Sequence, residues 1–198
     1  MTEVKVLIEG YAEKLENGWR ASSTVCLVTN DRGEKIITDP GCNRELLMTA
    51  LEKEGLLTSD IDFVFLSHRH PDHVLLAGIF ENAKYVTSDN GLVYDEDVIT
   101  EFSKNVLGEN IELVNTPGHV AEHLALVVNT EKGKIGIAGD VIWWLDDEDQ
   151  VLDINQFDHS AEHDMDMEKL VESRKKLLEM CDYIVPGHGR IFEVGDVI

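Results

Sequence analysis

Basic residues are scarce in this chain: 17 Lys and Arg stand against 39 Asp and Glu in 198 residues, a formal net charge of −22. Such a field repels polyanions even after bound cations offset a few charges, which excludes nucleic acid and anionic membrane surfaces as expected partners. Cysteine is sparse as well. Cys26, Cys42 and Cys181 are odd in number and far apart, fitting neither a disulfide framework nor a C-x-x-C zinc knuckle. They are expected to be reduced thiols acting as small apolar residues in a cytoplasmic protein. No apolar run approaches the ~18 residues of a membrane span, and the N-terminal MTEVKVLIEGYAEK has neither the basic nor the apolar region of a secretion signal. With no Pro/Ser-rich linker and no clear repeat, a chain that is 43% hydrophobic suits one sizeable core. A single domain over residues 1–198 is expected, as a monomer or homodimer acting on a small-molecule substrate.

What the chain does have is a concentration of histidine. It holds eight, and three of them crowd with an aspartate into SHRHPDH at residues 67–73. Chance would place H-x-H-x-D-H in a chain of this length and composition on the order of once in a thousand sequences. The surrounding pattern is strand-rich through residue 60: VKVLIEGYAE, STVCLVTND, a DRGE turn and KIITDPG. RELLMTALEKEG then has helical spacing, closed by Gly55. Further on, short apolar runs alternate with helical stretches expected near 72–80, 90–107 and 165–180, pointing to an α/β sheet with covered faces.

Four of the predicted strands run directly into a metal-ligand type of residue: FVFLS into His68, IELVNTPG into His119, IGIAG into Asp140 and YIVPG into His188. Ligands of open α/β sheets gather at the carboxyl ends of strands. Pro71 keeps His70 out of the helical region, so His68 and His70 stay extended and share a side at period two. Pro71 is also a good first helical residue, placing Asp72 and His73 in a first helical turn. His68, His70 and His119 make one three-ligand set with an open position, Asp72, His73 and His188 a second, and Asp140 is placed to bridge them. Mixed imidazole and carboxylate donors suit zinc, with iron and manganese also accepted.

SHRHPDH, TPGH, the Gly-Asp at 139–140 and PGHG at 186–189, in that order and with ITDPG upstream, resemble the metallo-β-lactamase superfamily across nearly the whole chain. The resemblance implies an αββα sandwich, two mixed β-sheets packed between helices, with a dinuclear metal site between the tops of the sheets. It assigns His68, His70 and His119 to one ion, Asp72, His73 and His188 to the other, and Asp140 to both. Within the superfamily the chain is most similar to small single-domain hydrolases of the metallo-β-lactamase domain-containing protein 1 type and next to glyoxalase II. Two divalent ions, zinc first, are therefore the expected cofactors, and a metal-bridging hydroxide acting on an ester, thioester, lactone or amide is the expected chemistry. Asp72 would orient that nucleophile and return its proton to the leaving group. The alternative within the same fold is a mononuclear iron oxidoreductase like the persulfide dioxygenases.

Several residues outside the ligand set carry expectations of their own. His123 is read as supporting the ligands through a hydrogen bond, and Asp39 as fixing a ligand histidine or forming a turn. His159 and His163 lie in a polar stretch and are expected to be solvated. Trp143, Trp144 and Phe157 could wall a substrate pocket or pack beneath the 143–163 segment. Arg69 and Arg190 are the basic side chains nearest the ligands in sequence.

Overall fold

The computed structural model describes residues 1–88, 92–101, 105–160 and 165–196. It opens with β1 (Glu3–Ile8), and the single strand expected over VKVLIEGYAE is broken at Glu9 and Gly10. Gly10 is the reason for the break: a Cβ there would overlap the Gly187 carbonyl and the Thr24 amide, so the chain turns where two segments pass in near contact. Beyond it, β2 (Tyr11–Leu15) and β3 (Gly18–Ser22) form a separate two-stranded hairpin. β4 (Val25–Thr29) returns through the expected Asp31-Arg32-Gly33 turn into β5 (Lys35–Thr38). α1 (Arg44–Lys53) begins at Asn43, whose side chain accepts from the Leu46 amide, and ends just before Gly55 at φ +69°.

β6 (Phe63–Leu66) leads into the histidine cluster. In place of one helix over 72–80, α2 (Pro71–Val74) is a single turn with Pro71 at its first position, followed by a 3₁₀ turn at Ala77–Ile79. β7 (Lys84–Thr87), β8 (Leu92–Asp95) and β9 (Val98–Glu101) follow. The helix expected over 90–107 is thus replaced, in its described part, by an antiparallel strand pair. Val93, Tyr94, Val98, Ile99 and Thr100 are β-branched or aromatic and favour the strand. Glu96 and Asp97 turn the chain, Glu96 at φ +53°.

The second half supplies β10 (Ile111–Asn115), β11 (Leu124–Thr130), β12 (Gly133–Gly139), α3 (Met167–Met180), β13 (Tyr183–Pro186) and β14 (Phe192–Glu193). One sheet has seven strands in the order β1-β4-β5-β6-β7-β8-β9, and the other five in the order β10-β11-β12-β13-β14. Both are mixed, with β6 parallel to β5 and β7, and β12 parallel to β13. Alternation along each strand sorts its residues between layers. Cys26, Val28, Phe63 and Phe65 meet Leu124, Leu126, Ile137 and Val185 between the sheets. Val25, Leu27 and Val64 pack instead against Leu47 and Leu51 of α1, while Ala125, Val127 and Ile184 pack against Leu170 and Leu177 of α3. The architecture is the αββα sandwich that the motifs imply. Among the described residues no helix is long and apolar enough to cross a membrane.

Candidate metal centre

Where the two sheets meet at their upper edge, the strand ends deliver their ligand-type residues to one place. His68, His70, His119 and Asp140 form one group whose donor atoms all lie within 4.8 Å of one another, and Asp72, His73 and His188 form a second. Asp140 stands between them. Its Oδ2 lies 3.5 Å from His119 Nε2 and 3.8 Å from His68 Nε2, while its Oδ1 lies 3.1 Å from His73 Nε2 and 3.6 Å from His188 Nε2. Asp72 Oδ2 completes the second group, 3.3 Å from His188 Nε2.

The backbone makes this convergence possible at a few specific points. Gly118, at φ +140°, lies so close to the backbone of Leu170 that any side chain would collide with α3, and this seats the TPGH turn under His119. Gly187 is equally constrained, because a Cβ there would overlap Asp140 Oδ1. Asp39 is one of two described non-glycine residues with positive φ, at 40°. Strain of this kind costs on the order of 1 kcal/mol or more and persists where surrounding contacts fix it. Here those contacts are the Ser67 amide and hydroxyl, 2.7 and 2.6 Å from the Asp39 carboxylate, and His73 Nδ1 at 3.1 Å.

Every buried ligand imidazole has a partner that turns its lone pair inward. His73 Nδ1–H donates to Asp39 and His119 Nδ1–H to Asp158, at 3.1 and 2.6 Å. His188 Nδ1–H donates to the Ser22 carbonyl at 3.2 Å. Because the Ser67 hydroxyl donates to Asp39, it accepts from His68 Nδ1 at 2.9 Å. In all four rings Nε2 is thereby the atom turned toward the other members of the site, the one a metal ion would take once any proton on it has left. His70 points its other nitrogen inward, with Nδ1 only 3.0 Å from His119 Nε2.

Burial and charge pull the protonation states of these groups apart. Burial, reinforced by neighbouring His73, holds His68 well below the ordinary histidine value, and burial also lowers His70. At His73 and His188 burial disfavours the cation too, but the Asp140 carboxylate outweighs it, and His188 is pushed up to about 9. Asp140 is held well below the carboxylate range because those two rings overcome the cost of its burial. Without a metal ion, then, protons occupy part of the site.

The donor set fits divalent ions. Among the described residues, His68 Nε2, His73 Nε2 and Asp140 Oδ1 are buried polar atoms without a hydrogen-bond partner. Each such atom costs about 1–3 kcal/mol when left unsatisfied. A cation within each group satisfies them at once, with imidazole and carboxylate donors of the kind that zinc and iron accept.

The remaining expectations divide. Asp39 lies at hydrogen-bond distance from His73, one of the candidate ligands. His123 belongs to neither ligand group; its Nδ1 pairs with the Thr116 hydroxyl at 2.9 Å, its ring stacks on His68, and burial lowers it to about 3. His159 is not fully solvated: it lies edge-on to Trp143 and within 3.0 Å of Glu148. His163 lies outside the described residues. Of the three aromatic candidates for a pocket wall, only Trp143 lines the cavity over the ligands. Trp144 is buried with its indole N–H on the Val151 carbonyl, and Phe157 is exposed. Cys42, expected as a packing residue, lines the cavity as well, and neither Arg69 nor Arg190 does.

Sequence reasoning missed Ser67, Asp158 and Trp19. Ser67, immediately before the cluster, was the most accessible of the three to pattern reading. Asp158 lies 39 residues from the histidine it holds. Only the chain path brings it there.

A sandwich of this topology, with two His/Asp groups flanking one carboxylate, defines a class of αββα proteins with a candidate site for divalent metal ions. The family model for the metallo-β-lactamase superfamily matches residues 18–91. Metallo-β-lactamase domain-containing protein 1 of Rattus norvegicus is 30% identical over 226 residues, covering 96% of this chain and 86% of that protein. The chain belongs to the metallo-β-lactamase superfamily. A hydroxyacylglutathione hydrolase of Salmonella newport is 33% identical over 113 residues, half of this chain and 41% of that protein. Among solved structures, a Thermotoga maritima protein assigned to the metallo-β-lactamases superposes with a TM-score of 0.69 at 20% identity, over 97% of this chain and 99% of its own. A dizinc quorum-quenching lactonase bound to its product superposes with a TM-score of 0.60 at 19% identity, over 86% of this chain and 74% of its own.

Proposed function

We propose that the protein is a dinuclear metal-dependent hydrolase of an ester, thioester, lactone or amide bond in a small substrate. The observation that carries this reading is the position of Asp140, one oxygen facing each ligand group. The second group brings three ligand-type residues together beside the same Asp140, which favours two ions over the single iron of an oxygenase. The hydrolase names among relatives and the lactonase among fold neighbours support the same reaction class.

Two divalent ions, when bound, would lower the pKa of water toward neutrality and polarise the oxygen of the scissile carbonyl. The chain's own residues do the rest. Asp72 lines the cavity, and its side chain is 24% accessible against 6% for Asp140. It is therefore the carboxylate that can reach substrate. His188 beside it keeps it ionised, outweighing the effect of burial. Asp72 accepts a hydrogen bond from the attacking water, takes its proton and passes it to the leaving oxygen, sulfur or nitrogen as the acyl bond breaks. Trp143, with ring contacts to both His119 and His188, spans the two groups and limits water entry.

The first test is metal analysis of protein purified without added metal, paired with a panel of thioester, lactone and ester substrates. About two zinc or manganese ions per chain together with hydrolysis supports the proposal, whereas one iron per chain would redirect it to oxygen chemistry. For Asp72→Asn the expected result is a fall in turnover of about 10²–10⁴-fold with a smaller loss of metal from the first group. Equal loss of both would remove the proton-transfer role.

A further inference from the structure

The cavity above the ligands, about 350 Å³, has a sided lining. Its floor is the ligand set, including Asp72, Asp140, His70, His119 and His188. Its walls are mostly apolar, with Ala12, Trp19, Ala21, Pro71, Leu75 and Trp143 joined by Cys42 and one hydroxyl, Ser160. Trp19 stands on β3 at 45% exposure, edge-on to Trp143 with ring centroids 6.3 Å apart, and Leu75 is 66% exposed just after α2. Two large apolar side chains left open to solvent at one cavity mouth cost hydrophobic free energy that a bound apolar group recovers.

The arrangement of these walls is fixed in the free protein. Asp146 ties the hairpin to the segment after Asp140: its carboxylate accepts from the Ala12 amide at 3.1 Å, and its own amide donates to the Ala12 carbonyl at 2.8 Å. The hairpin bearing Trp19 and the loop bearing Trp143 are thereby held as facing walls.

Charge points the same way. Among the described residues no Lys or Arg lines the cavity. Of the neighbouring cations, Arg20 pairs with Glu13 and Arg69 with Glu122, and Lys14 lies over the Trp19 ring, 5.9 Å from its centroid, outside the lining. An anionic substituent seated against these walls, away from the ligand groups, would have no cationic side chain of the lining to receive it, in a chain of net charge −22.

We infer that the substrate is uncharged and carries an apolar chain or ring, seated between Trp19, Trp143 and Leu75 while the scissile carbonyl lies over the ligand groups. The inference rests on the hydrolase reading for its chemistry, but the cavity makes it separately testable. Water's oxygen bonds to the acyl carbon, the acyl–oxygen or acyl–sulfur bond breaks, and the leaving alcohol or thiol takes the proton.

The test uses the zinc-loaded full chain with neutral p-nitrophenyl esters from acetate to octanoate, against esters of equal length ending in a carboxylate. The kcat/KM value is expected to rise at least about tenfold from acetate to octanoate and to fall about tenfold or more when the carboxylate is added. Trp19→Ala, at a half-exposed position, is expected to collapse the octanoate-to-acetate ratio toward one, with Trp19→Phe restoring most of it. Leu75→Arg is expected to raise the ratio of anionic to neutral ester turnover. A flat chain-length series, or equal rates for the charged and uncharged esters, would overturn the inference.

A binding arm separates its failure from that of the hydrolase reading. Tryptophan fluorescence is followed during titration with 2-decanone, which cannot be hydrolysed, and with a carboxylate-ended ketone of the same length. Preferential binding of 2-decanone without turnover of any ester, thioester, lactone or amide supplied supports the cavity reading and defeats the hydrolase one. Absence of preference defeats the cavity reading whatever the ester rates.

Discussion

At the scale of single residues, the centre is governed by what stands behind each ligand. His73 depends on Asp39, His119 on Asp158 and His68 on Ser67, and each contact fixes one ring nitrogen as the proton carrier. In the metal-free protein His73 is raised well above its ordinary value and His188 to about 9, because Asp140 outweighs their burial. The sign follows directly. His188, at about 9, carries a proton at pH 7 that metal binding must expel, and His73 is shifted in the same direction, so affinity strengthens as pH rises toward 9. Zinc titration calorimetry in two buffers of different ionisation enthalpy should show net proton release at pH 7, diminishing above pH 9. Proton uptake, or no buffer dependence at pH 7, would contradict the protonation states assigned here.

At the scale of elements, α3 does more than cover a sheet. Arg174 is buried within it, and its guanidinium donates to the carbonyls of Val141 at 2.8 Å, Ile154 at 3.0 Å and Gln156 at 2.6 Å. One side chain therefore ties the residue after Asp140 to the segment that presents Asp158. Replacing it with Met keeps the apolar stem but removes the donor from one buried carbonyl, Val141, and two partly buried ones, Ile154 and Gln156. Arg174→Met is expected to lower stability by about 3 kcal/mol or more, and to weaken metal affinity at the His68–His70–His119 group by roughly tenfold or more. Denaturant unfolding and competitive zinc titration would measure the two effects. An unchanged affinity with lowered stability would confine Arg174 to a packing role.

The same elements mark where sequence reading succeeds and where it stops. The candidate ligands were legible because His68, His119, Asp140 and His188 follow apolar strands and Pro71, Gly118, Gly139 and Gly187 set the local chain direction around most of the set. Asp39 was legible through ITDPG. Asp158 was not, because its distance from His119 in sequence is closed only by the path of the chain and by Arg174 pinning that path. Trp19 was illegible for a related reason: on β3 it looks like any exposed strand residue, and only the Asp146 tether brings it over the centre. The missed strands β8 and β9 show the limit of spacing over short apolar runs, where β-branched content decides against the helical pattern.

At the scale of the whole molecule, charge and cavity act together. A net charge of −22 sets up a field that reaches beyond the site, while the cavity walls offer no cation among the described residues to counter it. That field is screened by salt over about 8 Å at physiological ionic strength, and it acts on charged substrates alone. For a carboxylate-ended ester, kcat/KM should therefore rise as salt increases, since screening relieves repulsion during approach. For the neutral ester of the same length the rate should stay level over the same range. Stopped-flow measurements of both series from low to physiological salt would decide it. A parallel response of the two esters would mean that salt acts on the protein or its metals rather than on encounter. A fall with salt for the anionic ester would mean that a local positive potential, supplied by the bound ions, outweighs the chain's own charge at the cavity mouth.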